Sequence, residues 1–318
     1  MTRSFVFPGQ GSQSVGMGKE LAQNMPVAAQ VFEEVNDALS QNLSGLMFEG
    51  PSDDLTLTQN AQPALMAVSV AVMRILEKDF DVKLSEVSAY VAGHSLGEYS
   101  ALTVSGALKL EDTSRLLKLR GEAMQRAVPV GVGAMAAILG LDFDVVQEVA
   151  EEAASQGGAG EVCTAANDNA DGQVVISGHK AAVERAIEMA KEKGAKRGII
   201  LPVSAPFHCA LMRPAAEEMA DALADTNIFK PVIPILTNVT AAPESNPESI
   251  RKYLVEQVTG RVRWRETILK MHELGVDKVV EAGTGKVLTG MVRRICREMT
   301  GTSLQSPADI EAFAVSLK

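Results

Sequence analysis

The segment Gly93-His94-Ser95-Leu96-Gly97 restricts the fold most, because it joins two segments of different character. Val87 to Ala92 is apolar and predicts a buried strand, whereas Leu96 to Leu102 predicts a helix. A G-x-S-x-G sequence between a strand and a helix forms a sharp turn that exposes the serine hydroxyl at the carboxyl end of a sheet. We therefore predict that Ser95 is a nucleophile. The alternative is a Gly-Ser turn that only connects the two elements.

Strand-like and helix-like patterns alternate along the rest of the chain, which favours an α/β fold. Ser4 to Phe7, Ile233 to Leu236 and Lys278 to Glu281 also predict buried strands. Pro63 to Leu76 predicts a helix with Pro63 in its first turn, where proline is tolerated. A helix from Gly285 to Arg297 is expected to complete the core.

The region 128–203 has a pattern of its own. Its apolar periodicity predicts the order β-α-β-β-α-β, which is typical of a ferredoxin-like unit. We therefore predict two domains. A large α/β domain comprises 1–127 and 204–318, and a small ferredoxin-like domain, 128–203, is inserted into it.

Composition excludes several classes of function. The chain has 318 residues and a formal net charge of −10, which argues against nucleic acid as a partner because phosphate binding needs a basic surface. The longest apolar run falls short of the roughly 20 residues that span a bilayer. Three widely separated cysteines indicate neither disulfides nor a CxxC metal site, so we expect a reducing, cytoplasmic location.

Cofactor motifs are incomplete. Gly9-x-Gly11-x-x-Ser14 lacks the third glycine of the dinucleotide fingerprint, and the P-loop-like segment Gly283 to Val287 has the wrong spacing. No pair of histidines, cysteines or carboxylates has clear metal-ligand spacing. We therefore expect no bound cofactor and no metal.

A nucleophilic serine needs a base, and the chain has four histidines. His179 and His272 are expected to be structural or exposed. His208 follows the serine in a proline-bracketed loop after a predicted strand, where catalytic groups often lie. We favour His208 over the alternative, His94, whose side chain should point away from the adjacent hydroxyl.

Arg120 lies in the apolar stripe of the amphipathic helix Glu111 to Ala127. A guanidinium at a core-facing position is costly unless it meets an anion. The pattern fits a clamp for a substrate carboxylate, which the planar fork of arginine can hold with two hydrogen bonds. It equally fits a structural ion pair, or a side chain whose head reaches solvent.

An ordered set of motifs resembles the bacterial malonyl-CoA:acyl carrier protein transacylase family almost from end to end. The matching segments are Phe7-Pro-Gly-Gln-Gly-Ser-Gln13, Thr58-Gln-Asn-Ala-Gln-Pro63, Gly93-His-Ser-Leu-Gly-Glu98, Arg120, Met124-Gln125, Asn167, Asn169, Gly172-Gln-Val-Val-Ile-Ser-Gly178, Phe207-His208, Thr237-Asn-Val-Thr240, Gln257, Val262-Arg-Trp264 and Gly283 to Gly290. The resemblance implies a hydrolase-like parallel-sheet core with an inserted ferredoxin-like domain.

The resemblance also implies catalytic roles. Ser95 would be the nucleophile and His208 the general base, oriented by the main-chain carbonyl of Gln257 rather than by a carboxylate. The amides of Gln10 and Leu96 would form the oxyanion hole.

Substrate-binding roles follow from the same resemblance. Arg120 would bind the malonyl carboxylate, with Gln62 and Asn167 as further binding residues. Gln59 and Asn169 remain the alternatives to these two. Phe207, beside the base, is expected to fill the space that an α-methyl group would need.

The implied reaction is ping-pong transfer of malonyl from malonyl-CoA to the phosphopantetheine thiol of holo-acyl carrier protein. Separately from the resemblance, we expect a monomer. Residues 261–297 have nine lysines and arginines against four acidic residues, a local balance of +5. We expect part of this basic surface to dock the acidic carrier. The alternative is a solvated basic face without a partner.

Two other functions remain open. A serine thioesterase or esterase would use the same serine turn, with water as the acceptor of the acyl group. A carrier-docking protein without activity would need neither Ser95 nor His208.

Overall fold

The computed structural model describes residues 2–317 and has two sheets surrounded by helices. The strands are β1 (Arg3–Phe7), β2 (Val91–Gly93), β3 (Gly133–Leu139), β4 (Cys163–Ala170), β5 (Gln173–His179), β6 (Arg197–Ile200), β7 (Ile235–Leu236), β8 (Pro243–Glu244), β9 (Lys278–Ala282) and β10 (Thr300–Leu304). The helices from the first half of the chain are α1 (Lys19–Asn24), α2 (Pro26–Leu39), α3 (Leu43–Glu49), α4 (Ser52–Thr56), α5 (Thr58–Phe80), α6 (Leu84–Val87), α7 (Gly97–Val104), α8 (Leu110–Ala127) and α9 (Phe143–Gln156). The remaining helices are α10 (Lys180–Glu192), α11 (Arg213–Ala224), α12 (Pro247–Thr259), α13 (Trp264–Glu273), α14 (Val287–Ile295) and α15 (Pro307–Val315).

The larger sheet has the strand order β10-β9-β1-β2-β7-β8, and all its pairs are parallel except β7 with β8. Phe5 pairs with Val91 on one side and with Val280 on the other. Strands covered on both faces require continuous apolar sequence, which is why β1 could be identified from the sequence. The strand predicted over Val87 to Ala92 is too long: Val87 ends α6, and only Val91 and Ala92 lie in β2. The predicted α/β fold with a parallel-sheet core is confirmed.

The prediction that the helix Gly285 to Arg297 completes the core is wrong, because two further elements follow it. A fifth parallel strand, β10, lies beside β9 at the edge of the sheet, and α15 follows it. The sequence of β10, Thr-Gly-Thr-Ser-Leu, has a single apolar side chain and so gives no strand signal. Phe313 of α15 packs edge-on against Phe5 of β1, with ring centroids 5.7 Å apart, so this last helix belongs to the core.

The second sheet is antiparallel, with the order β4-β5-β3-β6. Its elements follow one another as β3-α9-β4-β5-α10-β6, and apolar side chains of the strands and of both helices form a separate hydrophobic cluster. This cluster includes Ile138 and Ile176 from the sheet and Val146 and Val183 from the helices.

Helix α5 begins five residues before the predicted start. Pro63 lies inside the helix rather than in its first turn, so the prediction for this residue is wrong. The cost is one main-chain hydrogen bond, because proline lacks an N–H group. Helix α8 crosses close by: a Cβ atom on Gly121 would lie 2.5 Å from Cα of Gln59. This close approach brings Arg120 of α8 beside Gln62 of α5.

Within residues 2–317, every helix is too short or too polar to cross a membrane.

The position of Phe313 allows a test of the contribution of α15. Phe313→Ala removes a buried ring from the edge of the core, and we expect it to lower the free energy of unfolding by about 3 kcal/mol. Val315→Ala, in the same helix at a position that is 62% exposed, should change it by less than about 0.5 kcal/mol. Urea denaturation of both variants measures the difference. Equal stabilities would show that α15 does not stabilise the sheet.

Candidate active site

Ser95 lies in the turn between β2 and α7 with a φ of 53°, a left-handed conformation that is strained for a side chain other than glycine. The glycines on either side make the turn possible. A Cβ atom on Gly93 would lie 1.8 Å from the carbonyl carbon of Gly97, and one on Gly97 would lie 2.3 Å from the carbonyl oxygen of Phe7. The sequence therefore forces Ser95 out of the strand, as predicted from the G-x-S-x-G pattern.

Asn238 holds this turn from the neighbouring strand. Its Oδ1 accepts a hydrogen bond of 2.7 Å from the main-chain N–H of Ser95, and its Nδ2 donates one of 2.6 Å to the carbonyl of Gly93. Asn238 lies two residues after the end of β7, so parallel pairing of β2 with β7 brings it to the turn. No role for Asn238 was predicted from the sequence, although its position after a buried strand was a usable signal.

His208 lies opposite the serine. Its Nε2 is 2.8 Å from Oγ of Ser95, and its Nδ1 is 2.9 Å from the carbonyl oxygen of Gln257 and 3.1 Å from that of Gly260. Carbonyl oxygens only accept, so we assign the ring hydrogen to Nδ1, which leaves Nε2 as an acceptor for the serine hydroxyl.

Burial lowers the pKa of His208 to about 3, and the nearby charge of Arg120 acts in the same direction. The two carbonyl hydrogen bonds oppose this shift. Its imidazole is therefore neutral at neutral pH, and the lone pair of Nε2 faces the serine hydroxyl.

His94, the alternative base, points elsewhere. Its Nε2 is 2.8 Å from Oδ1 of Asn169, and its ring packs against Trp264 with centroids 5.7 Å apart. The geometry thus pairs His208, and not His94, with Ser95.

Arg120 is only 1% exposed, so its guanidinium does not reach solvent. Its Nη1 donates to Oε1 of Gln62 at 2.7 Å, and its Nη2 donates to Oε1 of Gln257 at 2.9 Å and to Oγ of Ser95 at 3.1 Å. Among residues 2–317, no carboxylate oxygen lies within 4.0 Å of this guanidinium. A buried cation held only by neutral oxygens is available to an anionic ligand beside Ser95.

Two glutamines present these neutral oxygens because their amide nitrogens have other partners. Nε2 of Gln62 donates to Oγ1 of Thr58 at 2.9 Å, and that hydroxyl donates to Oε1 of Gln10. Nε2 of Gln257 donates to Oε2 of Glu98 at 2.7 Å. Each amide oxygen therefore faces Arg120.

Glu98 is the buried carboxylate of this network, with 1% exposure. Its Oε2 also accepts a 3.0 Å hydrogen bond from the main-chain N–H of Asn238. Burial raises the pKa of Glu98 to about 7, although the two hydrogen bonds and the charge of Arg120 oppose the shift. This role of Glu98 was not predicted from the sequence. The available signal was a glutamate among the apolar residues of α7.

A cavity of about 540 Å³ opens in front of Ser95. The predicted site residues that line it are Gln10, Gln62, Ser95, Leu96, Arg120, Asn167, Phe207 and His208. The main-chain N–H groups of Gln10 and Leu96 donate to no acceptor within residues 2–317, so both are available to a ligand oxygen. Oδ1 of Asn167 is likewise buried without a partner among these residues, whereas Asn169 is bonded to His94.

A strained serine, a neutral histidine and a pair of available amides at the end of a parallel sheet define a serine-dependent acyl-transfer site. In agreement, the family model described as "Acyl transferase domain" matches residues 4–311. The chain is 47% identical over 309 residues to the malonyl CoA-acyl carrier protein transacylase of Haemophilus influenzae, covering 97% of both chains. The chain belongs to the malonyl-CoA:acyl carrier protein transacylase family.

Solved structures agree with this assignment. The acyl-carrier-protein-S-malonyltransferase of Bartonella henselae superimposes with a TM-score of 0.96 at 54% identity, covering 100% of this chain and 99% of that one. A malonyl-transacylase solved in complex with a type II PKS acyl-carrier protein superimposes with a TM-score of 0.94 at 41% identity, covering 100% of both chains.

The buried carboxyl group of Glu98 predicts an unusual pH dependence of stability. Its folded-state pKa of about 7 exceeds the ordinary 4.5, so the folded protein binds this proton more tightly than the unfolded chain does. The contribution of Glu98 to the free energy of unfolding therefore falls as the pH rises from about 4.5 to about 7, and it stays constant above pH 7. Glu98→Gln keeps an acceptor oxygen but cannot ionise. We expect its stability relative to wild type to rise across this window, by an amount on the order of 3 kcal/mol.

Urea denaturation at pH 5 and at pH 8 measures this change. Glu86→Gln, at an exposed carboxyl group, serves as the control and should shift little between the two pH values. A constant difference between Glu98→Gln and wild type would contradict a raised pKa at Glu98.

Proposed function

We propose that this protein transfers the malonyl group from malonyl-CoA to the phosphopantetheine thiol of holo-acyl carrier protein, supplying malonyl carrier for fatty acid synthesis. One observation supports it most directly: the guanidinium of Arg120 lies 3.1 Å from Oγ of Ser95 and has only neutral partners among residues 2–317. An acyl group on this serine would meet a buried cation. The relatives named above are malonyl transacylases, and one was solved with a carrier protein.

In the first half of the reaction, Oγ of Ser95 attacks the thioester carbonyl while Nε2 of His208 takes the hydroxyl proton. The carbonyl oxygen becomes an oxyanion, which the N–H groups of Gln10 and Leu96 stabilise, helped by the N-terminus of α7. The C–S bond then breaks. The CoA thiolate receives the proton from His208, and a malonyl ester remains on Ser95.

The second half reverses these steps with another thiol. His208 takes the proton of the phosphopantetheine thiol, and the thiolate attacks the serine ester. When the tetrahedral intermediate collapses, Ser95 leaves and regains its proton. The main-chain carbonyl of Gln257 keeps Nδ1 of His208 protonated, so Nε2 exchanges protons in both halves without a triad carboxylate.

Selectivity in this proposal comes from Arg120 and from the walls of the cavity. The malonyl carboxylate pairs with the guanidinium, whereas an acetyl group leaves that charge without an anion. Gln62 holds the guanidinium in place. Phe207 narrows the cavity beside His208, which disfavours an α-methyl substituent, and Asn167 offers a free acceptor to the substrate.

Malonyl-CoA and the carrier are substrates in this proposal, and we expect no resident cofactor or metal for catalysis. A thioesterase would use the same serine and histidine with water as acceptor. The buried Arg120 and the family favour transfer to a thiol. A docking protein without activity is disfavoured, because the serine–histidine hydrogen bond is intact.

Intact-protein mass measurement tests the proposed function. The wild-type protein mixed with malonyl-CoA should gain one malonyl group, which should move to holo-acyl carrier protein when this is added. Ser95→Ala should gain none. An adduct that decays to free malonate without reaching the carrier would establish the thioesterase instead. Absence of both adduct and transfer would overturn either enzymatic function for this substrate.

Substitution of Arg120 tests the source of selectivity. Arg120→Ala should lower kcat/KM for malonyl-CoA by roughly 30-fold or more, because about 2 kcal/mol or more of carboxylate binding is lost. Discrimination against acetyl-CoA should fall by a similar factor. Arg126→Ala, at an exposed position of the same helix, should leave both values unchanged. If Arg120→Ala retained a kcat/KM for malonyl-CoA within a few-fold of wild type, the proposal that Arg120 binds the malonyl carboxylate would be contradicted.

Helix α14 offers the most direct docking surface for the carrier. Its residues Val287, Leu288 and Met291 line the cavity, and Arg293 and Arg294 of the same helix are exposed. Several other cations of 261–297 already have ion-pair partners: Arg261 and Arg263 share Glu266, Arg265 pairs with Asp168 and Asp171, and Lys270 pairs with Glu273. We therefore place the carrier contact on α14.

Charge reversal at Arg293 tests this surface. Arg293 is the better choice of the two arginines, because Arg294 also hydrogen-bonds Gln173. Arg293→Glu should raise KM for the carrier several-fold at low salt and leave KM for malonyl-CoA unchanged. Arg115→Glu, an exposed cation beside α2, is the matched control. An unchanged carrier KM would remove Arg293 from the interface.

The domain division 1–127 with 204–318 and 128–203 is also a proposal. Its support is the separate sheet and hydrophobic cluster formed by β3 to β6. A monomeric state and a cytoplasmic location remain predictions. Size-exclusion chromatography with light scattering tests the former.

A further inference from the structure

The turn between α14 and β10 brings three metal-binding residue types together; His272 and Glu298 are exposed, whereas Cys296 is 5% exposed. Cys296 follows the last residue of α14, Glu298 lies two residues later, and His272 lies in the last turn of α13. A ligand atom from each, an imidazole nitrogen, the sulfur and a carboxylate oxygen, lies within 4.8 Å of the other two. Sγ of Cys296 is 3.3 Å from Oε2 of Glu298.

The sequence does not reveal this cluster, because His272 is separated from Cys296 by a complete strand and a complete helix. The parallel pairing of β10 with β9 closes that distance. Sequence spacing identifies metal sites only where the ligands are close in the chain.

We propose that His272, Cys296 and Glu298 form a binding site for one Zn²⁺-type cation. Thiolate, imidazole and carboxylate are each zinc ligands in proteins, and three protein ligands with water in the fourth position is an arrangement that zinc accepts. Ligand atoms in a tetrahedral zinc site are about 3.5 Å apart, so the exposed His272 and Glu298 need to close by only about 1 Å. Ca²⁺ and Mg²⁺ prefer sites made of oxygen ligands alone, so the thiol argues against them.

Binding would also require loss of the thiol proton. The Sγ–H of Cys296 donates to Glu298 in this structure. When the metal binds, a sulfur–metal bond replaces the S–H bond, and the proton leaves to solvent. Metal affinity should therefore increase with pH.

The location indicates what a bound ion would do. It would connect the carboxyl ends of α13 and α14, whereas the opposite end of α14 lines the cavity in front of Ser95. The ion would therefore restrain the motion of α14 relative to α13, and it would do so at a distance from the reacting atoms.

Titration of the full-length, metal-free protein with Co²⁺ tests the site, because a thiolate ligand gives cobalt a charge-transfer absorption band. We expect one Co²⁺ per chain and displacement by Zn²⁺. Cys296→Ser should abolish the band, and His272→Gln should weaken binding by about tenfold or more. Glu273→Gln, which removes an exposed carboxylate next to His272, is the matched control and should bind as wild type does.

Hydrogen exchange provides the second measurement. Zn²⁺ should slow exchange of the amides of the last turn of α14 in wild type and have no effect in Cys296→Ser. In the presence of EDTA both proteins should melt cooperatively, which shows that the variant folds; Cys296→Ser should melt somewhat lower, because it places a hydroxyl in a buried cluster. Absence of a thiolate band, or a band of equal strength in Cys296→Ser, would overturn the proposed site.

Discussion

A buried guanidinium that meets no carboxylate is the constraint on which the arrangement of the site depends. Arg120 is surrounded by the oxygens of Gln62, Gln257 and Ser95, and each glutamine is oriented by a further hydrogen bond. A carboxylate in place of Gln62 or Gln257 would neutralise the cation, so that no positive charge would remain for a ligand. Glu98 lies beyond Gln257 and contacts that amide rather than the guanidinium, and burial raises its pKa to about 7, so it carries only part of a negative charge at neutral pH. The protein thus keeps the cation fixed without neutralising it.

The same network links this cation to the catalytic pair. The side chain of Gln257 contacts Arg120, and its main-chain carbonyl contacts His208. Asn238 holds the strained turn of Ser95 through its side chain and contacts Glu98 through its main chain. Positions of nucleophile, base and cation are therefore coupled, and displacement of one would disturb the others.

Sequence patterns predicted those features that depend on local chemistry. The turn of Ser95 follows from two glycines and a buried strand, and the position of Arg120 follows from helical periodicity. Features that depend on pairing between distant segments were missed. Asn238 and Glu98 become neighbours only through the sheet, β10 lacks an apolar pattern, and His272 approaches Cys296 only after folding. The choice among the alternatives for Arg120 likewise needed the structure, because no pattern shows which atoms surround a guanidinium.

The neutral surroundings of Arg120 have a thermodynamic consequence. In the free protein the cation is desolvated without full compensation, which lowers the pKa of Arg120 and stores part of the folding free energy as unfavourable charge burial. A carboxylate held covalently at Ser95 would cancel that penalty. The acylated protein, and not the free one, is then the state in which the interior charges balance. The pairing stabilises a malonyl ester on Ser95 relative to an acetyl ester, which would leave the guanidinium without an anion.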